Sequence, residues 1–343
     1  MTKKATGWTY ARAGVDIAQK SQAIASLVDQ LKYRRTGKGR MIEAKGQFAG
    51  LIGFGDCALT LATDGVGTKL LVAKALDKWD TVGIDCMAMN VNDTICVGAE
   101  PMSFVDYIAI DKPDERITHD IGLGLEKAAE MANVDIVGGE IAVLPELVKG
   151  VDLSGTCLGF VAKDRIVDGS KVKVGDAIIG LPSSGLHSNG FTLVRGVLKS
   201  NKIGLDHKFK GLSKSIGEEM LTPTSIYVKQ VMRLLKKHDV SGMVDVTGGG
   251  LRNFIRLKKN VRFEISDPLP PQPIFDVLAE LGDIEPLEMY QTFNMGMGFA
   301  VVCRPELAKS AVLTLGGDAK VVGRVVRGAG VGIDAVGVEY GSY

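Results

Sequence analysis

The sequence carries no surplus of charge of either sign. Lys plus Arg number 41 and Asp plus Glu number 40. Such a balance argues against a nucleic-acid or membrane-surface role driven by net charge. Long apolar runs are missing too: nothing approaches the roughly 20 residues of a membrane-crossing helix. The first residues, Met1 to Tyr10, are polar and lack the apolar centre of a secretory signal. Cysteine is scarce. Cys57, Cys86, Cys96, Cys157 and Cys303 are odd in number, form no C-x-x-C pair and mostly sit in apolar runs. This pattern fits reduced, buried thiols in a cytoplasmic protein rather than disulfides or zinc.

Several standard signatures are absent as well. There is no G-x-x-x-x-G-K-[ST] loop, no G-x-G-x-x-G after a strand, no H-E-x-x-H and no G-x-S-x-G. Nucleotide chemistry, if present, must lie outside the P-loop and kinase designs.

What the sequence does have is glycine, 43 residues of it, spread over short loops beside strands and helices. Glycine there permits positive φ and close backbone approach to a ligand. The 343 residues suffice for two domains. An amphipathic helix is predicted over 17–33, with Ile24, Leu27, Val28 and Leu31 on one face, then a basic stretch and a glycine-rich loop over 46–55 that includes Gly50. Residues 80–97 are apolar nearly all round and predict a buried helix. The mixture of strands and helices without regular alternation predicts two α+β domains, 1–165 and 166–343, divided in the polar stretch 163–175.

Five segments carry candidate chemistry. Asp64-Gly65-Val66-Gly67-Thr68-Lys69 lies between a predicted strand and helix. It fits an anion loop in which Lys69 neutralises phosphate and Asp64 holds a cation, and it fits equally a tight turn capped by Asp64. The buried helix contains Asp85, Asn90, Asn92 and Asp93. A buried carboxylate needs a cation, a hydrogen-bond network or a helix end, and Asp85 suits the last. Gly138-Gly139-Glu140 ends a strand with a carboxylate. Asp64, Asp93 and Glu140 together make a hard-oxygen set of the kind Mg²⁺ takes alongside nucleotide phosphates. Ser183-Ser184-Gly185-Leu186-His187-Ser188-Asn189-Gly190 suits a polar, phosphorylated ligand, or a serine-capped helix start with a surface histidine. Thr247-Gly248-Gly249-Gly250 reads as a phosphate cradle or a flexible loop.

Taken in order, these motifs resemble those of the aminoimidazole ribonucleotide synthetases, also called phosphoribosylformylglycinamidine cyclo-ligases. The resemblance runs from about Tyr10 to about Ala300. It adds Ala13-Gly14-Val15-Asp16-Ile17, Asn92-Asp93 with Gly98-Ala99-Glu100-Pro101, Leu221-Thr222-Pro223-Thr224 and Thr292-Phe293-Asn294. Two departures stand out. Ile141-Ala142-Val143-Leu144-Pro145-Glu146 replaces the family's usual run after Gly-Gly-Glu, and Asp245 stands where the family commonly has histidine. Asp245 is closer to sister kinases and synthetases, such as thiamine monophosphate kinase, which keeps that reading as an alternative beside an inactive nucleotide-binding dimer.

The resemblance implies an N-terminal domain that binds ATP and Mg²⁺ and pairs its sheet across a homodimer, and a sandwich-like C-terminal α/β domain that binds formylglycinamidine ribonucleotide. It implies ATP contacts at Gly50, Asp64, Gly65, Gly67, Thr68, Lys69 and Asp93, and metal ligands at Asp64, Asp93 and Glu140. Substrate contacts are expected at Ser184, Gly185, His187, Ser188, Asn189, Thr247, Gly248, Gly249 and Gly250. His187, Asn189 and Lys69 are the expected catalytic residues, His187 as a proton carrier at neutral pH.

Overall fold

The structure, a computed structural model, describes residues 7–14, 17–42 and 48–342. Val15, Asp16 and Gly46, named above, lie outside the described residues. In the first half come helix α1 (Ile17–Val28), strands β1 (Met41–Ile42), β2 (Gly50–Phe54) and β3 (Cys57–Gly65), and helices α2 (Leu70–Leu76) and α3 (Val82–Cys96). Strand β4 (Glu100–Ile110), helix α4 (Glu115–Ala132), β5 (Asp135–Val143) and β6 (Val151–Ala162) complete it. The six strands form one sheet in the order β1-β2-β3-β6-β4-β5. Its pairs are antiparallel except β4 with β5.

The chain leaves this sheet at Ala162 and enters a second at β7 (Ala177–Pro182). Helices α5 (Phe191–Ser200), α6 (Ile216–Met220) and α7 (Val228–Leu235) lead to β8 (Gly242–Asp245), α8 (Phe254–Leu257) and β9 (Arg262–Ile265). Then follow α9 (Pro273–Gly282), α10 (Pro286–Thr292), β10 (Met297–Cys303), α11 (Ala308–Leu315), β11 (Lys320–Val326), β12 (Gly330–Ile333) and β13 (Val338–Tyr340). The second sheet runs β13-β12-β9-β11-β7-β10-β8, parallel only between β12 and β9. The fold is therefore two α+β units with mixed sheets.

Helix α3 joins them. It touches β3, β4, β6 and α4 of its own unit and also α7 and β8 of the second. Neighbours on every side explain why it is apolar all round. Its approach to α4 depends on two glycines. A Cβ at Gly83 would strike the backbone of Leu125, and one at Gly124 would stand 2.7 Å from the carbonyl oxygen of Asp80. Helix α4 starts as its sequence dictates: Asp114 accepts the N–H groups of Arg116 and Ile117, an N-cap.

Two expectations need correction. Helix α1 ends at Val28, short of residue 33. Its apolar stripe is not covered, with Ile24, Leu27 and Val28 each about half exposed or more. The glycine-rich loop at 46–55 contains strand β2, and Gly50 begins it, paired with Leu61. The one face of the first sheet packs on α3, while the other exposes Leu61, Val105, Tyr107 and Phe160. Strand β5 is exposed along almost its whole length. No helix among the described residues is long and apolar enough to cross a membrane.

Candidate active site

A turn of the first unit and helix α3 meet loops of the second along one seam. The turn after β3 is the nearest. Gly65 N–H donates to its neighbour Asp64 Oδ1 at 2.7 Å, and Asn90 Nδ2 of α3 donates to the Asp64 carbonyl at 3.2 Å. Thr68 Oγ1 meets Thr192 Oγ1 at 3.1 Å, so the turn touches the start of α5. Gly67 has φ +69° and open space where a side chain would stand. A left-handed backbone that projects nothing leaves room for a ligand.

Lys69 does not face that space. It is fully buried. Its ammonium donates to Asp85 Oδ1 at 2.9 Å, to the His187 carbonyl at 3.0 Å and to the Thr222 carbonyl at 2.7 Å. An ammonium has three N–H donors, so none is left for a phosphate. The role expected for Lys69 is corrected accordingly. Asp85 is likewise more than a helix-end charge. Its Oδ1 also accepts the N–H of Thr224 at 2.8 Å and its hydroxyl at 2.6 Å. Removing one partner of such a buried pair costs about 3–5 kcal/mol, because the other charge is stranded.

The Ser183–Gly190 loop follows β7 and is held from all sides. Ser184 Oγ donates to the Pro223 carbonyl at 2.5 Å, and Ser188 Oγ lies 3.1 Å from Thr224 Oγ1. Asn294 Nδ2 donates to the Gly185 carbonyl at 2.8 Å. Gly190 caps α5 with φ +76°, and a Cβ there would collide with the Phe293 ring. The helix start is thus glycine-capped, not serine-capped.

His187 sits inside this loop, 1% exposed and with φ +58°. Its Nε2 accepts the N–H groups of Ser184 and Ser225 at 3.2 and 3.5 Å. Burial, with the Lys69 charge as the smaller cause, holds its pKa down to about 3. The ring is neutral with its proton on Nδ1. The sequence suggested an imidazole that exchanges protons near pH 7; the structure instead uses it as an internal acceptor. Asn189 differs: its Nδ2 is buried and makes no hydrogen bond among the described residues.

The Thr247–Gly250 loop faces Asn189. A Cβ on Gly248 would stand 3.0 Å from Asn189 Oδ1. Gly249 and Gly250 adopt φ of +117° and +53°. They lead into a 3₁₀ turn and the short α8, so no long helix dipole stands behind them.

The acidic set differs from the expected one. Asp93 is partly buried, and its Oδ1 has no hydrogen-bond partner among the described residues. Burial first, then the charge of Asp64, pushes its pKa up, with Arg256 opposing. Asp245, at the end of β8, is 1% exposed, and its Oδ2 has no partner among the described residues. Its pKa is raised well above the usual range by burial and then by Asp93 and Asp64. Asp64 is exposed by its surface area, yet the protein packed about it raises its pKa, against the Gly65 N–H and Lys20. The third acid beside Asp64 and Asp93 is therefore Asp245. Glu140 is exposed on β5, opposite Tyr107. Among the described residues no three His, Cys, Asp or Glu side chains converge as a ready metal cluster. The expected trio of Asp64, Asp93 and Glu140 is not assembled within this chain.

Sequence reasoning assigned no individual role to Arg256, Thr224 or Asn92, although Thr224 and Asn92 stand within its motifs; Asn92 accepts the Tyr227 N–H and donates to the Ser225 carbonyl. Asp245 was visible only as a departure, although a carboxylate closing an apolar strand was itself the signal.

Two α+β units clasped about one helix, with acids and glycine loops along the seam, form a known fold class. The chain superimposes on a thiamine monophosphate kinase from Aquifex aeolicus with a TM-score of 0.63 at 17% identity, over 95% of this chain and 99% of that one. Hydrogenase maturation protein HypE in complex with ATP gives 0.61 at 18% identity, covering 82% and 83%. The family itself follows from sequence. Residues 46–161 match the model for the AIR synthase related protein N-terminal domain, and 173–335 that for its C-terminal domain. The chain is 49% identical over 319 residues to phosphoribosylformylglycinamidine cyclo-ligase of Methanosarcina barkeri, covering 93% of this chain and 95% of the relative. It is 45% identical over 324 residues to that of Methanocaldococcus jannaschii, covering 93% and 92%. The chain belongs to the AIR synthase family.

Proposed function

We infer that this protein is a phosphoribosylformylglycinamidine cyclo-ligase of purine biosynthesis. It converts formylglycinamidine ribonucleotide and ATP to aminoimidazole ribonucleotide, ADP and phosphate. The observation that carries this is the 49% identity over nearly the whole of both chains.

The chemistry explains the need for ATP. An amide oxygen is a poor leaving group. Transfer of the γ-phosphoryl group onto it gives a carbon that the amidine nitrogen of the same molecule can attack, expelling phosphate. Both reacting groups are already joined, so the enzyme's work is to fold the substrate and to stabilise phosphoryl charge.

We assign ATP to the first unit, 1–165, at the turn Asp64–Thr68 beside Asp93. The substrate goes to the second, 166–343, between Ser184–Asn189 and Thr247–Gly250. Asn189 is the group in these loops best suited to touch substrate, because its buried amide N–H lacks a partner among the described residues. Mg²⁺ fits beside Asp93: an unpartnered oxygen in a carboxylate crowded by Asp64 is a site in need of a cation. Asp64 and Asp93 would hold the ion, and it would neutralise the ATP phosphates. The exposed apolar face with Leu61, Val105, Tyr107 and Phe160 supports a homodimer in which a second copy covers this sheet.

The test is direct. Purified protein with Mg-ATP and formylglycinamidine ribonucleotide should form aminoimidazole ribonucleotide and ADP in equal amounts. ADP release that does not depend on the ribonucleotide would overturn the assignment.

A further inference from the structure

We propose that Lys69 and Asp85 are a positioning pair that sets the substrate loops from the other domain. The inference rests on the loop assignment made above.

Both residues belong to the first unit, and both reach into the second. The Lys69 ammonium holds two second-unit carbonyls, those of His187 and Thr222. Asp85 Oδ1 takes both the N–H and the hydroxyl of Thr224. The two residues are bonded to each other and have no exposed surface. The held points are not scattered. His187 lies in the middle of the Ser183–Gly190 loop, and Asn189 is two residues further on. Thr222 and Thr224 flank Pro223, whose carbonyl receives the Ser184 hydroxyl. Thr224 in turn meets Ser188. One ion pair therefore fixes both walls of the same loop assembly.

The geometry of His187 shows why a tether is required. A non-glycine residue at φ +58° occupies a sparsely populated conformation that its surroundings must enforce. The Lys69 bond to the His187 carbonyl acts at the same residue whose ring nitrogen gathers Ser184 and Ser225. A charged donor in a dry site makes a strong, directional bond. The pair also crosses the domain seam, so the loop's position is registered against the ATP-side turn, whose last residue is Lys69 itself. Phosphoryl transfer between ligands held on two units needs that registration.

The experiment compares Lys69→Met, Asp85→Asn and the double variant. Lys69→Met alone strands the Asp85 charge and should lower the melting temperature. The double variant removes both charges and should recover most of it. Substrate handling should not recover, because the His187 and Thr222 carbonyls remain untethered. We expect the double variant to need roughly tenfold more formylglycinamidine ribonucleotide, the size of one charge-assisted hydrogen bond, with the KM for ATP near normal. Amide exchange in 183–190 and 222–225 should quicken while α3 stays protected. A double variant with wild-type substrate KM and wild-type exchange in these loops would overturn the proposal, as would a rise in the KM for ATP alone. Asn189→Ala separates the two readings: an unchanged substrate KM there removes the loop assignment, whereas the exchange data judge the pair by itself.

Discussion

The Nε2 of His187 accepts the amide N–H of Ser184, in the same loop, at 3.2 Å. A histidine used in this way stays neutral at neutral pH, and protonation of its Nε2 would break the loop from inside.

A pH dependence follows. The folded pKa of about 3 lies below the unfolded value of about 6.5. Between them the unfolded chain binds a proton that the folded chain does not, so acid favours unfolding. The contribution of His187 is complete above about pH 6.5 and is lost as pH falls towards 3, at up to about 1.4 kcal/mol per pH unit. His187→Gln keeps an acceptor for Ser184 and cannot titrate. Its melting temperature should fall less steeply with acid than the wild type's between pH 6 and 4, and its turnover should persist. Abolished turnover in a folded His187→Gln protein would restore the imidazole as a proton carrier.

Legibility in the sequence followed the range of the forces involved. The helix α3 was plain because burial on every side leaves an unbroken apolar record. Strand β3 showed through the alternation over Cys57–Thr63. Strand β2 did not: Gly50 and Gly53 weaken its pattern, and pairing with β3 is what makes it a strand. The carbonyl targets of Lys69 lie 118 and 153 residues away and have no side-chain signature. A lysine after a glycine turn looks like a phosphate ligand until the tertiary fold shows which acceptors it has already taken. Glu140 shows the converse: Gly138-Gly139-Glu140 reads as a strand end, yet it lies in the middle of β5, and which way the strand faces was not legible.

The uncovered sheet face gives a second prediction. Val105 is 39% exposed on β4, opposite Thr156 on β6. If a second copy covers this face, Val105→Glu buries a charge at the contact, which is costly without a partner. Sedimentation should then show a dimeric wild type and a monomeric, folded variant. A wild type that sediments as a monomer at all micromolar concentrations would remove the homodimer.

Asp93 offers the sharpest test of the cation site. Its raised pKa means that the folded chain holds a proton which the unfolded chain releases. Stability from this group is present at low pH and is lost as pH rises through the ordinary carboxylate range towards the raised value. Asp93→Asn keeps the shape and removes the charge. Without Mg²⁺ its melting temperature should match the wild type's in acid and exceed it at pH 8. Turnover should behave in the opposite way. A metal clamp on phosphoryl oxygens contributes several kcal/mol, so the loss should be at least about 100-fold. Added Mg²⁺ should restore only part of it, because Asp64 alone remains of the pair. The two curves, melting temperature against pH and turnover against Mg²⁺, are independent readings of one carboxylate. Wild-type turnover with an unchanged Mg²⁺ requirement would place the ion elsewhere, whatever the melting curves show.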